Sequence, residues 1–494
     1  MSSFLSRLTA EPAPLSWLER QACYPWLIVG LVSTGAFLGQ FDATVVQLAL
    51  PSLARYFDQP IHHVSWVTLS YLAAFVAFLP IFGRLCDMFG RKTLYIIGYL
   101  IFIGASALCG VVSEFWQLLA FRFLQGLGGA LLGANSISIL VHTVSPAQRG
   151  RALGWFAAAQ AVGMSAGPVF GGVLIETLGW RWIFWLTVPF GAAAVIAGWL
   201  TLPRSTGARP ERVFDWGGAL LIGPALVLIV AALNHAAGRD FNLGYNLGMV
   251  AIAALLLALL VRRERRFRAP LINPALFRSP AFRSAAAAAM LGYAQVSAMF
   301  FLMSFAEARG FGESPLMAGL NLAIVPLAIG LSAPFSHAVQ ERLGGHRVGM
   351  AAMLLSLSAV VLLFATLGRV GHHWLFDSLA FAVFGTGLGL FIAPNNGVAI
   401  AAVPAALSGA AGALLNLMRA LGTSLGVAGS AALLTLNLRM PSGTSQMSPS
   451  FDGPGMLVAV RDCLPLLGVM VVLAGLCAWL AARRVEAKIG GPLR

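Results

Sequence analysis

Residues 83–92 read GRLCDMFGRK and lie between two long apolar runs, at 64–84 and 93–112. Each run supplies the roughly 20 apolar residues that a helix needs to cross the hydrocarbon layer of a bilayer. The quoted stretch carries four charged side chains and two glycines, which suits a short turn outside the hydrocarbon layer. We therefore expect two transmembrane helices joined by this loop.

The composition of the whole chain favours the same environment. Its 494 residues are 59% hydrophobic and only 10% charged, whereas soluble chains have about 25% charged residues. The net charge of +14 is distributed in short clusters between apolar runs, a pattern of membrane topology rather than of a nucleic-acid-binding face. Five cysteines, none in a CxxC pair, predict neither a metal site nor a disulfide framework. We expect lipid, and not nucleic acid, to surround the chain.

Working outward from the loop, the alternation of apolar runs and polar turns predicts an all-α membrane protein with fourteen spans. We place the spans near 25–50, 64–84, 93–112, 115–141, 152–175, 181–202, 216–235, 245–261, 283–306, 316–338, 348–367, 375–399, 409–435 and 463–482.

The arginines and lysines predict the orientation of these spans, because basic residues favour the cytoplasmic side. With both termini inside, 23 of the 32 basic residues fall on the cytoplasmic side, 7 on the opposite side and 2 within spans. This bias favours an even number of spans with both termini cytoplasmic.

The two spans within 216–261 are flanked by basic clusters and read as a hairpin inserted between two six-helix halves. The segment 437–462 is rich in Ser, Pro and Gly and is expected to be a mobile outer loop. The predicted domains are a cytoplasmic tail, a first six-helix bundle, a linker with two extra transmembrane helices, a second six-helix bundle and a second cytoplasmic tail, at 1–24, 25–203, 204–282, 283–482 and 483–494.

An internal repeat supports the two halves. The stretch QAVGMSAG at 160–167 resembles RALGTSLG at 419–426, and DMFG at 87–90 has a weaker counterpart in ERLG at 341–344. The offsets are similar, as expected for the duplicated halves of many transporters.

Several stretches in this order resemble a known family. They are the loop Gly83–Lys92, the run Arg122–Gly126, the glycine-rich run Gly163–Gly172, Asp42 within FDATVV, and WRWIF at 180–184. Together they resemble the major facilitator superfamily and, more narrowly, its fourteen-span drug:proton antiporter family of multidrug and quaternary-ammonium exporters. The chain departs from the family pattern at Met88, where a basic residue is usual, and at Thr187, where an Asn is common.

In the loop motif, Gly83 and Gly90 suit a tight turn and a close helix approach, and Asp87 can pair with Arg91. The resemblance implies that these residues, with Lys92, form a cytoplasmic gate. The alternative is that the basic residues serve topology alone.

In the fifth span the small residues form a surface for close helix packing, interrupted by a proline. The resemblance implies the antiporter motif that seals the cavity against leak, whereas ordinary tight packing is the alternative. The residues are Gly163, Gly167, Pro168, Gly171 and Gly172.

Ionisable side chains inside spans are candidate functional groups, because a charge at mid-membrane costs about 2.5–3.5 kcal/mol even on lenient scales. Asp42 has no basic residue within a helical turn. We expect it to bind and release protons, and the resemblance implies a proton- or cation-sensing acid. Arg122 and Gln125 share one helix face, which we expect to look into the cavity, and Arg122 is the natural partner of the acid. A structural hydrogen bond for Asp42 and a structural salt bridge for Arg122 are the alternatives.

Further polar residues complete the candidate cavity. Arg419 occupies the repeat position of Gln160, so both are expected to face the cavity, or else Arg419 snorkels or is paired. Asn395 and Asn396 follow Pro394, where a broken helix turn would expose polar groups. Two acids, Glu307 and Asp377, are expected to be solvated rim charges, and the pairs His62–His63 and His372–His373 to be surface histidines in outer loops.

The sequence thus predicts a proton-coupled antiporter that exports small amphipathic or cationic compounds by alternating access, with Asp42 attracting a cationic substrate directly. A narrow-substrate exporter or a proton symporter that imports its substrate is the alternative, while an enzyme is disfavoured because no catalytic motif is present. We expect a monomer in the bacterial inner membrane, energised by the proton gradient without a cofactor. The sequence does not decide whether a periplasmic adaptor takes part.

Overall fold

The computed structural model describes residues 11, 13–204, 214–235, 242–267, 270–368, 374–404, 407–438 and 452–489. Within these ranges every regular element is helical, and fourteen helical segments are long and apolar enough to cross a membrane. Helices suit this role because they satisfy their own backbone hydrogen bonds where water is absent. The predicted all-α fold with fourteen spans is confirmed.

The principal helix of each span is numbered in chain order. These helices are α1 (Tyr24–Tyr56), α2 (Trp66–Phe89), α3 (Arg91–Cys109), α4 (Phe115–Thr143), α5 (Arg149–Thr177), α6 (Thr187–Thr201), α7 (Trp216–His235), α8 (Leu243–Glu264), α9 (Pro280–Phe305), α10 (Pro315–Ser332), α11 (Gly345–Thr366), α12 (Trp374–Ala401), α13 (Ser408–Asn437) and α14 (Leu464–Ile489). Shorter helices lie at Ser16–Glu19, Ile61–Val64, Trp182–Trp185, Ser336–Leu343 and Pro454–Arg461. Single turns of 3-10 helix lie at Pro146–Gln148, Pro274–Arg278 and Ala333–Phe335, and a π-helical turn at Ala306–Phe311.

The outer loop is shorter than predicted. A helix begins at Pro454 and leads into α14, so the last part of the segment 437–462 is helical. Residues 439–451, to which the expectation of mobility applies, lie outside the described residues.

Fourteen successive crossings place the beginning of α1 and the end of α14 on one side of the molecule, which we call the terminal face. The opposite side, where α1 ends and α2 begins, is the far face.

The two six-helix bundles are built by the same close helix contacts. In the first bundle α5 packs on α1, and in the second α13 packs on α9. A β-carbon at Gly163 of α5 would meet the backbone carbonyl of Phe37, and one at Gly422 of α13 would meet that of Met290. The contact of α4 with α2 recurs in the same way between α12 and α10. The predicted repeat therefore corresponds to a repeated packing geometry.

The most extensive contacts between the bundles join α5 with α10, α2 with α13, and α1 with α9. The closest approach joins α5 to α10, where a β-carbon at Gly319 would meet the Pro168 carbonyl and one at Gly172 would lie 2.6 Å from the Pro315 carbonyl oxygen. The Glu176 carboxylate also accepts a hydrogen bond of 3.0 Å from the Leu316 backbone N–H.

The inserted hairpin of α7 and α8 packs against both bundles through α7, which contacts α2 and α13. The Asn234 amide near the end of α7 donates to the Ser65 hydroxyl at 2.8 Å. At the other end, the buried Asp215 accepts a hydrogen bond of 2.6 Å from Arg263 Nε. The hairpin is thus tied to the first bundle at the Asn234 end, and its two helices are tied to each other at the Asp215 end.

The glycine contact inside the first bundle can be tested by a single added methyl group. Gly163→Ala is expected to lower the free energy of unfolding by about 1–3 kcal/mol, because its β-carbon would press on the α1 backbone. Gly154→Ala in the same helix is the matched control, because its β-carbon would have no neighbour within 4 Å in the described part of the chain; it is expected to be neutral or to stabilise by up to about 1 kcal/mol. Thermal unfolding of the purified protein measures both, and equal effects would contradict the packing.

Candidate functional site

A buried ion pair joins α1 to α4 in the first bundle. Arg122 Nη1 donates to Asp42 Oδ2 at 2.7 Å, and both residues are 0% exposed. Asp42 lies near the middle of α1, among the apolar side chains of its buried face. A buried charge of either sign is costly unless it is paired and hydrogen-bonded, so each residue depends on the other.

Neighbouring groups complete the hydrogen bonding of the pair. Gln125 Nε2 donates to Asp42 Oδ1 at 2.9 Å and to Ser106 Oγ of α3 at 2.7 Å. Arg122 Nη1 also donates to Gln125 Oε1 at 2.6 Å, and Arg122 Nε donates to the Val67 carbonyl of α2 at 3.0 Å. Both carboxylate oxygens are therefore occupied, and the cluster connects α1, α2, α3 and α4.

An aromatic ring separates this cluster from the space between the bundles. The guanidinium carbon of Arg122 lies 4.6 Å from the centre of the Tyr71 ring, a cation–π distance. Tyr71 itself lines the central cavity. The ring is thus the shared wall of the ion pair and the cavity.

The central cavity has a volume of about 380 Å³ and is lined by helices of both bundles. Its wall reaches Ile400 and Gly412, at the terminal-face ends of α12 and α13. Toward the far face, buried apolar residues of both bundles, among them Leu50 of α1 and Phe301 of α9, belong to one packed cluster. The cavity therefore extends toward the terminal face and is closed at the far face.

The structure divides the predicted cavity residues into two groups. Arg419 and Asn396 line the cavity, as does Gln160, whereas Asp42, Arg122 and Gln125 lie behind its wall. The expectation that the helix face of Arg122 and Gln125 looks into the cavity is wrong, because both side chains are hydrogen-bonded to the buried Asp42.

Two further expectations about this region are wrong. Asp42 is fully buried and already paired, so it does not meet a cationic substrate directly. Asn395 lies in the unbroken helix α12 and donates to the Ala285 carbonyl at 3.0 Å. The expected broken turn after Pro394 is absent from α12, and Asn395 serves packing between α12 and α9.

The loop motif forms a tight, hydrogen-bonded turn. Gly90 has φ 102° and connects α2 to α3, a backbone conformation that favours glycine. Asp87 and Arg91 form an ion pair of 2.8 Å, as expected, and the buried Lys92 donates to the Leu202 carbonyl at 2.7 Å. No atom of the described residues lies within 4 Å of a β-carbon placed at Gly83, so its predicted close approach is wrong. The role of the motif as a gate stays a prediction.

The glycine-rich motif of α5 packs in two directions. Gly163, Gly167 and Gly171 lie against α1, while Pro168 and Gly172 lie against α10 of the second bundle. This surface holds the first bundle together and also forms the main contact between the bundles. Its role as a seal against leak stays a prediction.

Two acids predicted at a solvated rim are buried instead. Glu307 is 1% and Asp377 is 5% exposed. Glu307 lies in the π-helical turn after α9 and accepts a hydrogen bond of 3.4 Å from Asn321. The prediction of surface histidines is also wrong for His62, which is buried, and His372 and His373 lie outside the described residues.

Sequence reasoning did not single out Tyr71, Ser106 or Asn416. Ser106 and Asn416 are short polar residues in apolar runs, and such residues most often bond to their own helix backbone. Tyr71 follows Ser70 in an apolar run, where an aromatic ring is ordinary packing material. None of these patterns separates site residues from ordinary helix residues.

The described part of the chain defines a polytopic membrane transporter, in which two six-helix bundles enclose a central cavity. A family model described as the Major Facilitator Superfamily matches residues 32–427. The chain belongs to this family.

Several curated relatives cover most of the chain. A riboflavin transporter of Clostridioides difficile is 29% identical over 427 residues, which is 85% of this chain and 91% of the relative. The tetracenomycin C resistance and export protein of Streptomyces glaucescens is 29% identical over 441 residues, 89% of this chain and 81% of the relative. A putative multidrug resistance protein of Escherichia coli is 28% identical over 424 residues, 84% of this chain and 88% of the relative.

Solved structures show the same fold. A bacterial homolog of the human lysosomal transporter Spinster, in an inward-facing and unoccupied conformation, has a TM-score of 0.66 and 16% identity, covering 94% of this chain and 98% of that one. A POT family transporter in complex with 5-aminolevulinic acid has a TM-score of 0.67 and 14% identity, covering 92% of this chain and 96% of that one.

The mutual dependence of the buried pair predicts non-additive substitutions. Arg122→Gln is expected to lower the free energy of unfolding by about 3–5 kcal/mol, because Asp42 is left buried without a counter-charge. Asp42→Asn should likewise destabilise, and the double variant should recover much of the loss. Thermal unfolding midpoints of the three variants measure this coupling.

The exposed pair Asp87–Arg91 provides the comparison, because its side chains are 42% and 29% exposed. The two single variants and the double variant of that pair should give a coupling free energy below about 1 kcal/mol. A double variant at Asp42 and Arg122 that loses the sum of the two single losses would contradict the assignment.

Proposed function

We propose that this protein is a proton-coupled antiporter that exports small amphipathic compounds by alternating access. The observation that carries the proposal is the buried Asp42–Arg122 pair, placed directly behind the wall of the central cavity. Ala43 and Thr44, the two residues after Asp42, line that cavity. A titratable group and a substrate cavity therefore share one segment of α1.

Protonation of Asp42 would change the balance of forces in the cluster. The neutral carboxyl no longer compensates the Arg122 guanidinium, and an uncompensated buried cation is strongly unfavourable. Arg122 would then be driven toward another partner or toward water. Because the guanidinium stacks on Tyr71, its displacement would change the packing of the Tyr71 ring in the cavity wall.

The contacts between the bundles support alternating access. The cavity extends toward the terminal face, while the approach of α5 to α10 at Gly172 and Pro315 belongs to the closed far face. Opening the far face would require these helices to separate. The contacts inside each bundle, such as Gly163 on Phe37, can persist as the bundles move as units.

The distribution of basic residues supports a cytoplasmic location for both termini in the bacterial inner membrane. The terminal face would then be cytoplasmic, and the cavity would load substrate from inside the cell. The motif of α5 and the resistance and export proteins among the relatives support outward transport. We further propose that the protein works as a monomer, with the proton gradient as its energy source and no cofactor.

A narrow-substrate transporter is the second candidate. It is favoured by the riboflavin transporter among the relatives, which matches over 85% of this chain. Import by proton symport is a variant of this candidate, and the α5 motif speaks against it.

Proton release from energised everted membrane vesicles tests the antiport. A pH-gradient dye should report collapse of the gradient when members of a panel of anionic, neutral and cationic amphipathic drugs are added to wild-type vesicles. Asp42→Asn should abolish the response because no proton can be exchanged at that site.

The matched control is Asp58→Asn, an exposed position with φ 49°, where Asn is well tolerated. This variant should respond as the wild type does. A full response from a well-inserted Asp42→Asn variant would refute proton coupling through Asp42, and silence of the wild type toward every drug would favour the narrow-substrate candidate.

A further inference from the structure

We propose that the central cavity selects amphipathic substrates that carry an anionic group, and that Arg419 binds this group. The inference rests on the proposed export function and names the substrate class for the same cavity. It replaces the expectation of cationic substrates.

The charge of the cavity wall is the first argument. Arg419 is the one charged side chain among the described residues that line the cavity, and no aspartate or glutamate lies among them. A cationic ligand would therefore enter a site of like charge, whereas an anion would find a counter-charge.

The second argument is that Arg419 lacks an acidic partner of its own. Among the described residues no ion pair includes it, and its guanidinium lies 5.4 Å from the centre of the Tyr293 ring. Arg419 is the twelfth residue of α13, roughly 16 Å along the helix from its beginning at 1.5 Å per residue. A guanidinium at this depth gains from any anion that the cavity admits.

The third argument is that the nearby acid cannot neutralise the cavity. Asp42 is 0% exposed, and its two oxygens are occupied by Arg122 and Gln125. The charge of this acid is therefore matched inside the first bundle, and the positive charge at Arg419 stays available to a ligand.

The other residues that line the cavity indicate the chemistry of the rest of the ligand. Aromatic side chains from both bundles, among them Phe75 and Phe300, line the cavity and suit a planar ring system. Gln47 also lines it and is 4% exposed, and its Oε1 accepts no hydrogen bond from the described residues. A buried acceptor without a partner favours a ligand with an N–H or O–H group.

Equilibrium binding of two related dyes tests the selection. Fluorescein and rhodamine 123 share the xanthene ring system, but the first is an anion at neutral pH and the second a cation. Fluorescence anisotropy with the purified full chain in nanodiscs of zwitterionic lipid gives both affinities. We expect wild type to bind fluorescein about 10- to 100-fold more tightly, the range of a hydrogen bond to a charged group.

Two variants locate the selection at Arg419. Arg419→Gln should remove most of the preference for fluorescein, whereas Arg419→Lys, which keeps the charge, should retain part of it. Asn416→Asp places a carboxylate three residues before Arg419, on the same face of α13 and in the cavity wall. It should shift the preference toward rhodamine 123, and it decides the matter if Arg419→Gln does not fold.

Arg278→Gln is the control, because it removes the same charge from an exposed residue away from the cavity; its affinity ratio should equal that of wild type. The proposal is overturned if wild type does not bind fluorescein, if rhodamine 123 binds at least as tightly, or if neither cavity variant changes the ratio. Because binding needs no proton gradient, anion selection that persists while vesicles release no protons would refute the antiport alone.

Discussion

The ion pair of Asp42 and Arg122 ties together the helices of the first bundle. Both charges lie in the interior of a membrane protein, where each would be strongly unfavourable alone. The pair forms a hydrogen-bonded cluster with Gln125, Ser106 and the Val67 carbonyl. This cluster requires α1, α2, α3 and α4 to keep one arrangement. In the proposed antiport, a change of protonation at Asp42 would therefore act on these four helices at once.

Among the described residues, the second bundle has no buried ion pair at the equivalent positions, although the helix packing is repeated. Asp42 follows Phe37 by five residues, and the corresponding position after Met290 is Gln295, a buried residue whose Nε2 lies 3.4 Å from Met353 Sδ. In α4, Arg122 and Gln125 precede Gly126. The equivalent residues before Gly385 of α12 are Phe381 and Phe384, both fully buried. The duplicated fold thus holds its buried ion pair in the first bundle, while the second bundle supplies the cation of the cavity, Arg419.

The number of spans, the two bundles, the hairpin and the glycine faces could be predicted because they depend on local patterns of apolar and small residues. The direction in which a helix points a given side chain could not be predicted from these local patterns. Rotation of α1 about its axis decides whether Asp42 meets the cavity or Arg122, and that rotation is set by packing of Gly163 and Gly167 on α1. Glu307 shows the same limit, because a π-helical turn re-aims it into the interior, and a local apolar pattern does not reveal such a turn.

Proton coupling through this pair requires Asp42 to gain and lose a proton while it remains in the protein interior. Infrared difference spectroscopy of the purified protein, recorded as the pH is lowered, detects the carbonyl stretch of a newly protonated carboxyl group without any substrate. We expect a band from a buried carboxylic acid in wild type that is missing from Asp42→Asn and present in Asp58→Asn. Identical difference spectra for wild type and Asp42→Asn would rule out this proton exchange.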